Sequence, residues 1–334
     1  MKNQFNSMST KIRIGIIIGA GLLFIAGLFI VYWLFFSAPQ SQAEKKVFIV
    51  SRNQTELETL DKLTAQGLIR NESAFNLIRS FKHGDIAPGG YYIYTNMNAW
   101  QVANKLAGTP DMKWVVIPEG WRKEQIGELL AKTFNWNGDE LNKWNTIYTK
   151  MKSGYTEGTY FPDTYLIPVD ESGLDMANRM TMNFDQKFAP YLSQFAQQNI
   201  KWTTGLTLAS IIQREAAGSA DMPLIAGILW NRLNQGMNLQ IDATVQYARG
   251  NTGAGWWAPI AADDIKNIDS PYNTYENKGL PPTPIGNPGI AAIEAVLNPA
   301  QTDCLYYLHD SNRQIHCAKT YEEHQVNIDQ YLKN

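Results

Sequence analysis

The feature that most constrains this chain is the stretch from Ile14 to Phe36, which contains no charged residue. A helix needs about 20 apolar residues to cross a bilayer, so a run of this length reads as a membrane span. Tyr32 and Trp33 lie near its outer end, where interfacial aromatics are common. Lys2, Lys11 and Arg13 precede the run, and positive charge is sparse after it until Lys45 and Lys46. The positive-inside rule then puts residues 1–13 in the cytoplasm and the chain beyond the run outside. The alternative is a cleaved signal peptide. The run is longer than the usual apolar segment of such a peptide, and Pro39 makes Ser37-Ala38-Pro39 a poor cleavage site. The expectation is a single-pass protein of the plasma or inner membrane whose folded part is periplasmic or extracellular.

The 334 residues allow one or two folded domains. With 44% hydrophobic and 18% charged residues, the chain is not of the disordered type. A net charge of −2 gives no overall basic excess, so no nucleic-acid partner is expected. The 10 Trp and 16 Tyr fit a carbohydrate site, where flat rings cover sugar faces, and equally an ordinary core.

After a polar linker over residues 37–46, Val47–Val50 reads as a strand and Thr55–Gln66 as a helix stopped by Gly67. Leu57, Leu60 and Leu63 are its predicted apolar face. Glu72–Phe81 reads as a second helix, Gly89-Gly90 as a turn and Tyr91–Tyr94 as a returning strand, followed by a helix over Trp100–Ala107. This β-α-α-β order predicts a small α+β module of the LysM-like kind over residues 47–110. Beyond it, Trp114–Ile117 reads as a strand, and Lys123–Phe134, Asp139–Lys150 and Met176–Phe195 as helices. Gly154–Pro168 reads as a loop. The fold class expected is α+β: one transmembrane helix, the LysM-like module, then a mixed α/β domain over residues 111–334.

Chemistry concentrates from Thr203 onward. Thr204–Ala217 reads as a helix capped by Thr203 or Thr204 and stopped at Gly218. At about 100° per residue, Glu215 falls on the face of Leu208, Ile211 and Ile212. A carboxyl on an apolar stripe is costly unless it is paired or holds its proton, and the second condition is what a general acid requires. A structural ion pair with Arg232 is the alternative. A further helix begins at Asp221-Met222-Pro223 and ends with Asn231 and Arg232 before Gly236. Met237–Asp242 alternates strictly and predicts a half-buried strand with Asn238, Gln240 and Asp242 on its polar face. Two rigid loops, Ser270–Tyr275 with Gly279–Pro282, and Glu157–Tyr165, carry Tyr, Asn and acids suited to sugar contacts.

Leu305–His309 and Gln314–Ala318 read as a hairpin around Asp310-Ser311-Asn312. Centred between Asp310 and Ser311, it sets Cys304 opposite Cys317, either as a disulfide or as two thiols. The sequence carries no phosphate-binding or dinucleotide glycine motif, no HExxH and no G-x-S-x-G. The four histidines (His83, His309, His316 and His324) lack compact ligand spacing, so neither metal nor cofactor is expected.

Leu208–Glu215, Asn231-Arg232-Leu233, Leu239–Val245 and the two loops resemble the MltG/YceG-like endolytic murein transglycosylases, and Asn298-Pro299-Ala300 and Leu305-Tyr306-Tyr307 extend the likeness. One departure lies at His316–Lys319. The resemblance implies an anchored enzyme that cuts peptidoglycan strands lytically between N-acetylmuramic acid and N-acetylglucosamine, with Glu215 as catalytic acid and base. It implies a role in ending strand elongation, within a cell-wall synthesis complex. Gln240, Asp242, Tyr272, Asn273, Tyr275, Glu157 and Asn231 are the candidate substrate-binding residues. Asp242 and Glu157 are also the candidates for the second carboxylate that a hydrolase needs. A hydrolytic muramidase and a non-catalytic peptidoglycan scaffold are the competing readings.

Overall fold

The computed structural model describes residues 10–81, 84–150 and 157–333. Lys2, His83 and the start of the loop expected from Gly154 lie outside these. Helix α1, Thr10–Phe35, is the apolar run. Its 24-residue segment Ile12–Phe35 contains an 18-residue window with a mean hydropathy of 2.8, none of which is buried in the protein. At about 1.5 Å per residue that segment is long enough for a hydrocarbon core of about 30 Å.

The chain divides into two compact units, residues 1–114 with 166–169, and residues 115–165 with 170–334. In the first, β1 (Lys45–Val50) pairs antiparallel with β2 (Gly89–Tyr94), from Lys45 opposite Tyr94 to Val50 opposite Gly89. Between them come α2 (Glu56–Ala65) and α3 (Glu72–Ser80), with α4 (Ala99–Ala107) after β2. Thr55 caps α2 in a reciprocal box with Glu58. Gly67 ends it at φ 64°, its N–H bonded to Thr64 O and that of Leu68 to Leu63 O, the paired bonds of a glycine stop. Leu60 and Leu63 are buried with Phe48, Phe75, Tyr91, Ile93 and Val102. Leu57, expected on that face, is 69% exposed, because it lies a third of a turn away from Leu63 in the first turn.

Strands β3 (Met112–Val116) and β4 (Thr164–Pro168) extend the sheet in the order β1-β2-β3-β4. Gly89 and Gly90, expected as a turn, are instead inside β2. A Cβ on Gly89 would stand 2.5 Å from Pro110 Cβ and 2.6 Å from the Met112 carbonyl, so glycine here serves a close approach. The C-terminal part of the expected Gly154–Pro168 loop is β4.

The second unit is mostly helical. Its helices are α5 (Lys123–Phe134), α6 (Gly138–Thr146), α7 (Gly173–Gln197), α8 (Trp202–Glu215), α9 (Met222–Asn234), α10 (Asp242–Arg249), α11 (Ala262–Asn267), α12 (Ile290–Leu297) and α13 (Tyr321–Tyr331). Helix α6 is shorter than expected, because Ile147 leaves helical geometry and a single 3-10 turn, Tyr148–Lys150, follows. On α7, Phe184, Phe188 and Phe195 stack in series at 4.9 and 5.6 Å against the apolar face of α8. Helix α8 starts and ends two residues earlier than expected, with Lys201 and Ala216 as its flanking residues.

Two further corrections concern the region around Glu215. Met237–Ile241 is not a strand. Leu239 and Ile241 are buried and Gln240 exposed, as the alternation demanded. However, Gln240 takes φ 53°, which no ladder accepts, and Asp242 opens α10. The C-terminal hairpin, β5 (Tyr306–His309) with β6 (Ile315–Ala318), pairs Tyr307 with Cys317 and Leu308 with His316. That register is three residues from the expected one. The disulfide Cys304–Cys317 nevertheless forms, with Cα atoms 5.9 Å apart, because Cys304 lies just before β5 beside the ladder.

Helix α9 approaches the chain near residue 300 at Gly227, where a Cβ would meet the Ala300 carbonyl at 2.3 Å. Alanine gains about 1 kcal/mol of helix propensity over glycine, but this contact is with backbone that Ala300 N–H fixes to Pro223 O. Gly227→Ala is therefore expected to destabilise by about 1–3 kcal/mol, read as a drop of several degrees in the thermal midpoint. An unchanged midpoint would show that residues 298–302 yield freely.

Candidate active site

Glu215 is the last residue of α8, one turn beyond the fully buried Ile211 and Ile212. Its side chain leaves the apolar stripe at the floor of a cavity of about 370 Å³. Arg232, from the last turn of α9, and Leu239, Gln240 and Ile241 form one wall, and Asp242 and Tyr275 another. Tyr306 and Tyr307 come from β5, and Tyr321 and His324 from α13.

The 240 segment and the 270 loop hold each other. Gln240 N–H donates to Thr274 O at 3.1 Å, and Ile241 N–H to Thr274 Oγ1 at 3.0 Å. The hydroxyls of Thr244 and Thr274 meet at 2.9 Å inside the core. This clamp sets Tyr275 against Asp242, and its phenol donates to Asp242 Oδ1 at 2.5 Å. Arg232 joins the other wall to the hairpin. Its Nε donates to Leu305 O and its Nη1 to Leu239 O, each at 2.6 Å. It is thus spent on carbonyls rather than paired with Glu215. Asn231 donates to Thr302 O and Cys304 O, and His309 meets the α9 cap Asp221 at 3.1 Å.

So pinned, β5 delivers the Tyr307 phenol to Glu215 Oε2 at 2.6 Å. Burial pushes the Glu215 carboxyl above its ordinary range. The Tyr307 bond opposes that, the charge of Asp242 adds to it, and His309 and Arg214 oppose it. Tyr307 is raised well above the usual tyrosine range, by burial first and then by Glu215, so it remains a donor. His324 is lowered by burial and by Arg232, which favours the neutral ring. A carboxyl that holds its proton, in a cavity with a second carboxylate and several phenols, can donate a proton to an ether oxygen and take one back.

Of the residues singled out from sequence, Glu215, Gln240, Asp242 and Tyr275 share this cavity. Tyr272 instead meets Thr283 Oγ1 at 2.6 Å and packs on Tyr247, 4.8 Å between ring centres. Asn273 is fully buried and donates to Ile265 O and Ile268 O, which shapes the loop carrying Tyr275. Asn231 holds the chain before β5. Glu157 is buried elsewhere, where it accepts from Lys123 N–H at 2.9 Å and Asn287 Nδ2 at 3.0 Å. It borders a second cavity of about 280 Å³ with Trp202, Thr207 and Pro284. Tyr306, Tyr307, Tyr321 and His324 were not chosen from sequence. A tyrosine pair in a strand shows that one ring faces inward, but not what it meets. Among the described residues no group of three or more His, Cys, Asp or Glu is arranged to hold a metal ion.

Burial pushes Glu157 up to about 8, with the charge of Glu124 adding to it and Arg122 and Lys123 opposing. In an unfolded chain a glutamate titrates near pH 4.3, at about that value. The neutral carboxyl therefore contributes stability fully below that pH, and the contribution is lost as pH rises through about 8. Glu157→Gln keeps an acceptor for Lys123 and Asn287 and removes the charge. Its thermal midpoint should rise relative to the unsubstituted protein as pH goes from about 5, near the lower end of the window, to about 9, beyond its upper end. Parallel melting curves across that range would mean the site tolerates the charge.

The profile of the YceG-like family matches residues 48–330. The endolytic murein transglycosylase of Bacillus subtilis strain 168 is 30% identical, over 81% of each chain. The endolytic murein transglycosylase of Streptococcus pneumoniae strain D39 is 29% identical over 83% of this chain, which spans only 56% of that relative's length. A crystal structure of a protein described as YceG-like, from Listeria monocytogenes, is 28% identical, with a TM-score of 0.59 over 85% of this chain and 99% of the other.

Proposed function

The chain belongs to the YceG-like family, and we propose that it is a membrane-anchored endolytic peptidoglycan transglycosylase with Glu215 as its single acid and base. The observation that carries this reading is the Glu215 carboxyl, raised by burial at the floor of a cavity whose other walls offer hydroxyls and one carboxylate. The name borne by its relatives supports the same class of reaction.

Protonated Glu215 gives its proton to the oxygen of the β-1,4 bond between N-acetylmuramic acid and N-acetylglucosamine. The bond from C1 to that oxygen breaks as positive charge develops on the sugar. The C6 hydroxyl of the muramic acid then attacks C1, and its proton returns to Glu215. A 1,6-anhydro ring closes, no water is consumed, and no cofactor is required. Asp242, held by Tyr275, faces the developing charge, and Gln240 lines the same wall. Residues 47–110 serve as a LysM-like glycan-holding module and residues 111–334 as the catalytic domain. Helix α1 anchors the enzyme with its N-terminus in the cytoplasm and its active domain outside. Cuts inside nascent strands would end their elongation beside the synthesis machinery.

Hydrolysis is the second reading, and one observation favours it: Asp242 shares the cavity with Glu215, as a base for water must. The two reactions differ in whether water enters the product. Full-length protein in detergent, given purified peptidoglycan in H₂¹⁸O, should release 1,6-anhydro ends without the isotope. Glu215→Gln should slow this by about 10²–10⁴-fold. Isotope-labelled reducing ends would replace the lytic mechanism with hydrolysis. Unaltered strands from the unsubstituted protein, with binding retained, would favour a scaffold.

A further inference from the structure

The hydrogen bond from Tyr307 distinguishes the two oxygens of Glu215. The phenol O–H points at Oε2, 2.6 Å away. A neutral carboxyl has one oxygen that carries hydrogen and one that only accepts. With Oε2 engaged as the acceptor, the hydrogen belongs on Oε1. Tyr307 has little freedom to release its hold. Its strand is fixed on one side by Arg232 at Leu305 O and on the other by the ladder to Cys317, which is itself in the disulfide. His309, two residues on, is tied to Asp221.

We propose that Tyr307 is a positioning residue for the reaction above: by occupying Oε2 it directs the proton of Glu215 to Oε1, and it steadies the carboxylate left between the two proton transfers. This rests on the acid-base role given to Glu215. Tyr307 itself gives up no proton. Its O–H bond stays intact through both steps, and only the length of its hydrogen bond changes as Oε2 gains and loses negative charge.

Every element around the carboxyl contributes to its titration. Asp242 at the start of α10 disfavours the anion, whereas Arg214 on α8 and His309 on β5 favour it. Arg232 on α9 and Tyr275 in the 270 loop also line the cavity. His309 is shared with Asp221, and Arg232 with three backbone carbonyls. Among the influences that favour the anion, the Tyr307 bond is the largest. Its removal should let Glu215 keep its proton to higher pH.

The test reads the carboxyl directly. Difference infrared spectra of the full-length protein in detergent, with Glu215→Gln as the blank, give the protonation midpoint of Glu215 without turnover. In Tyr307→Phe this midpoint should rise by about one pH unit. The alkaline limb of the rate profile should move with it, and kcat should fall while KM holds. Incorporation of 3-fluorotyrosine at position 307 keeps the donor and makes it more acidic, so the midpoint should fall. This second variant also decides the matter if Tyr307→Phe does not fold. A midpoint that neither variant moves, or a loss of rate equal at every pH, would overturn the proposal. Product masses from the same protein report separately: reducing ends would sink the lytic reading, whereas the infrared midpoint judges Tyr307 alone.

Discussion

The guanidinium of Arg232 is the joint on which the candidate site depends. It is buried at the end of α9, where an unpaired cation would be costly, and it is satisfied by the carbonyls of Leu305, Asn238 and Leu239. Those carbonyls belong to two segments far apart in sequence, the approach to β5 and the turn before α10. One planar group with several fixed donors can hold both at once, which a lysine's single ammonium does less well. The ring of Tyr306 lies over the same guanidinium, 5.1 Å from its carbon. From this joint follow the contact of Tyr307 with Glu215 and the place of Asp242 in the same cavity.

The end of α8 explains why Glu215 tends to hold its proton. Its side chain follows an apolar stripe, so the anion loses water it would otherwise have. Its place in the last helical turn adds the negative end of the helix dipole, which also disfavours the anion. Arg214 beside it offsets part of this, but its own guanidinium packs on Trp257, 4.0 Å from the ring centre. Asp242 occupies the opposite kind of position, the first turn of α10, where the helix dipole suits negative charge. The two carboxyls of the cavity thus stand at opposite ends of two helices.

The sequence made legible what local pattern controls. The apolar run, the order β-α-α-β, the stop at Gly67 and the apolar stripe that includes Glu215 all follow from spacing along the chain. What it concealed depends on register and on backbone exceptions. Alternation at Met237–Ile241 correctly marked Leu239 and Ile241 as buried, but an extended segment and a strand share that pattern, and only φ at Gln240 separates them. The hairpin illustrates the same limit. Residues 306–309 and 315–318 were recognisable as strands, yet a three-residue error in register changes the partner of every residue across the hairpin. Asn273 looked suited to a ligand because asparagine offers both donor and acceptor. Buried, its amide nitrogen donates to the Ile265 and Ile268 carbonyls and its oxygen accepts from Tyr275 N–H, and its contribution is the shape of the loop that brings Tyr275 to Asp242.

The hydrogen bonding of Asp242 bears on which reaction the cavity favours. A base that activates water needs an oxygen free to accept the water's proton, with space for the water between it and the sugar. Asp242 has Oδ1 engaged by the Tyr275 phenol, which leaves Oδ2 as the oxygen a water would have to use, and Tyr275 is held by the Thr274 clamp. In the proposed reaction a carboxylate held in this way faces the charge that develops on the sugar ring. Glu215 carries the proton in both directions in that proposed mechanism. The nucleophile of the proposed mechanism comes from the substrate, and the muramic acid C6 hydroxyl closes a ring without any second base.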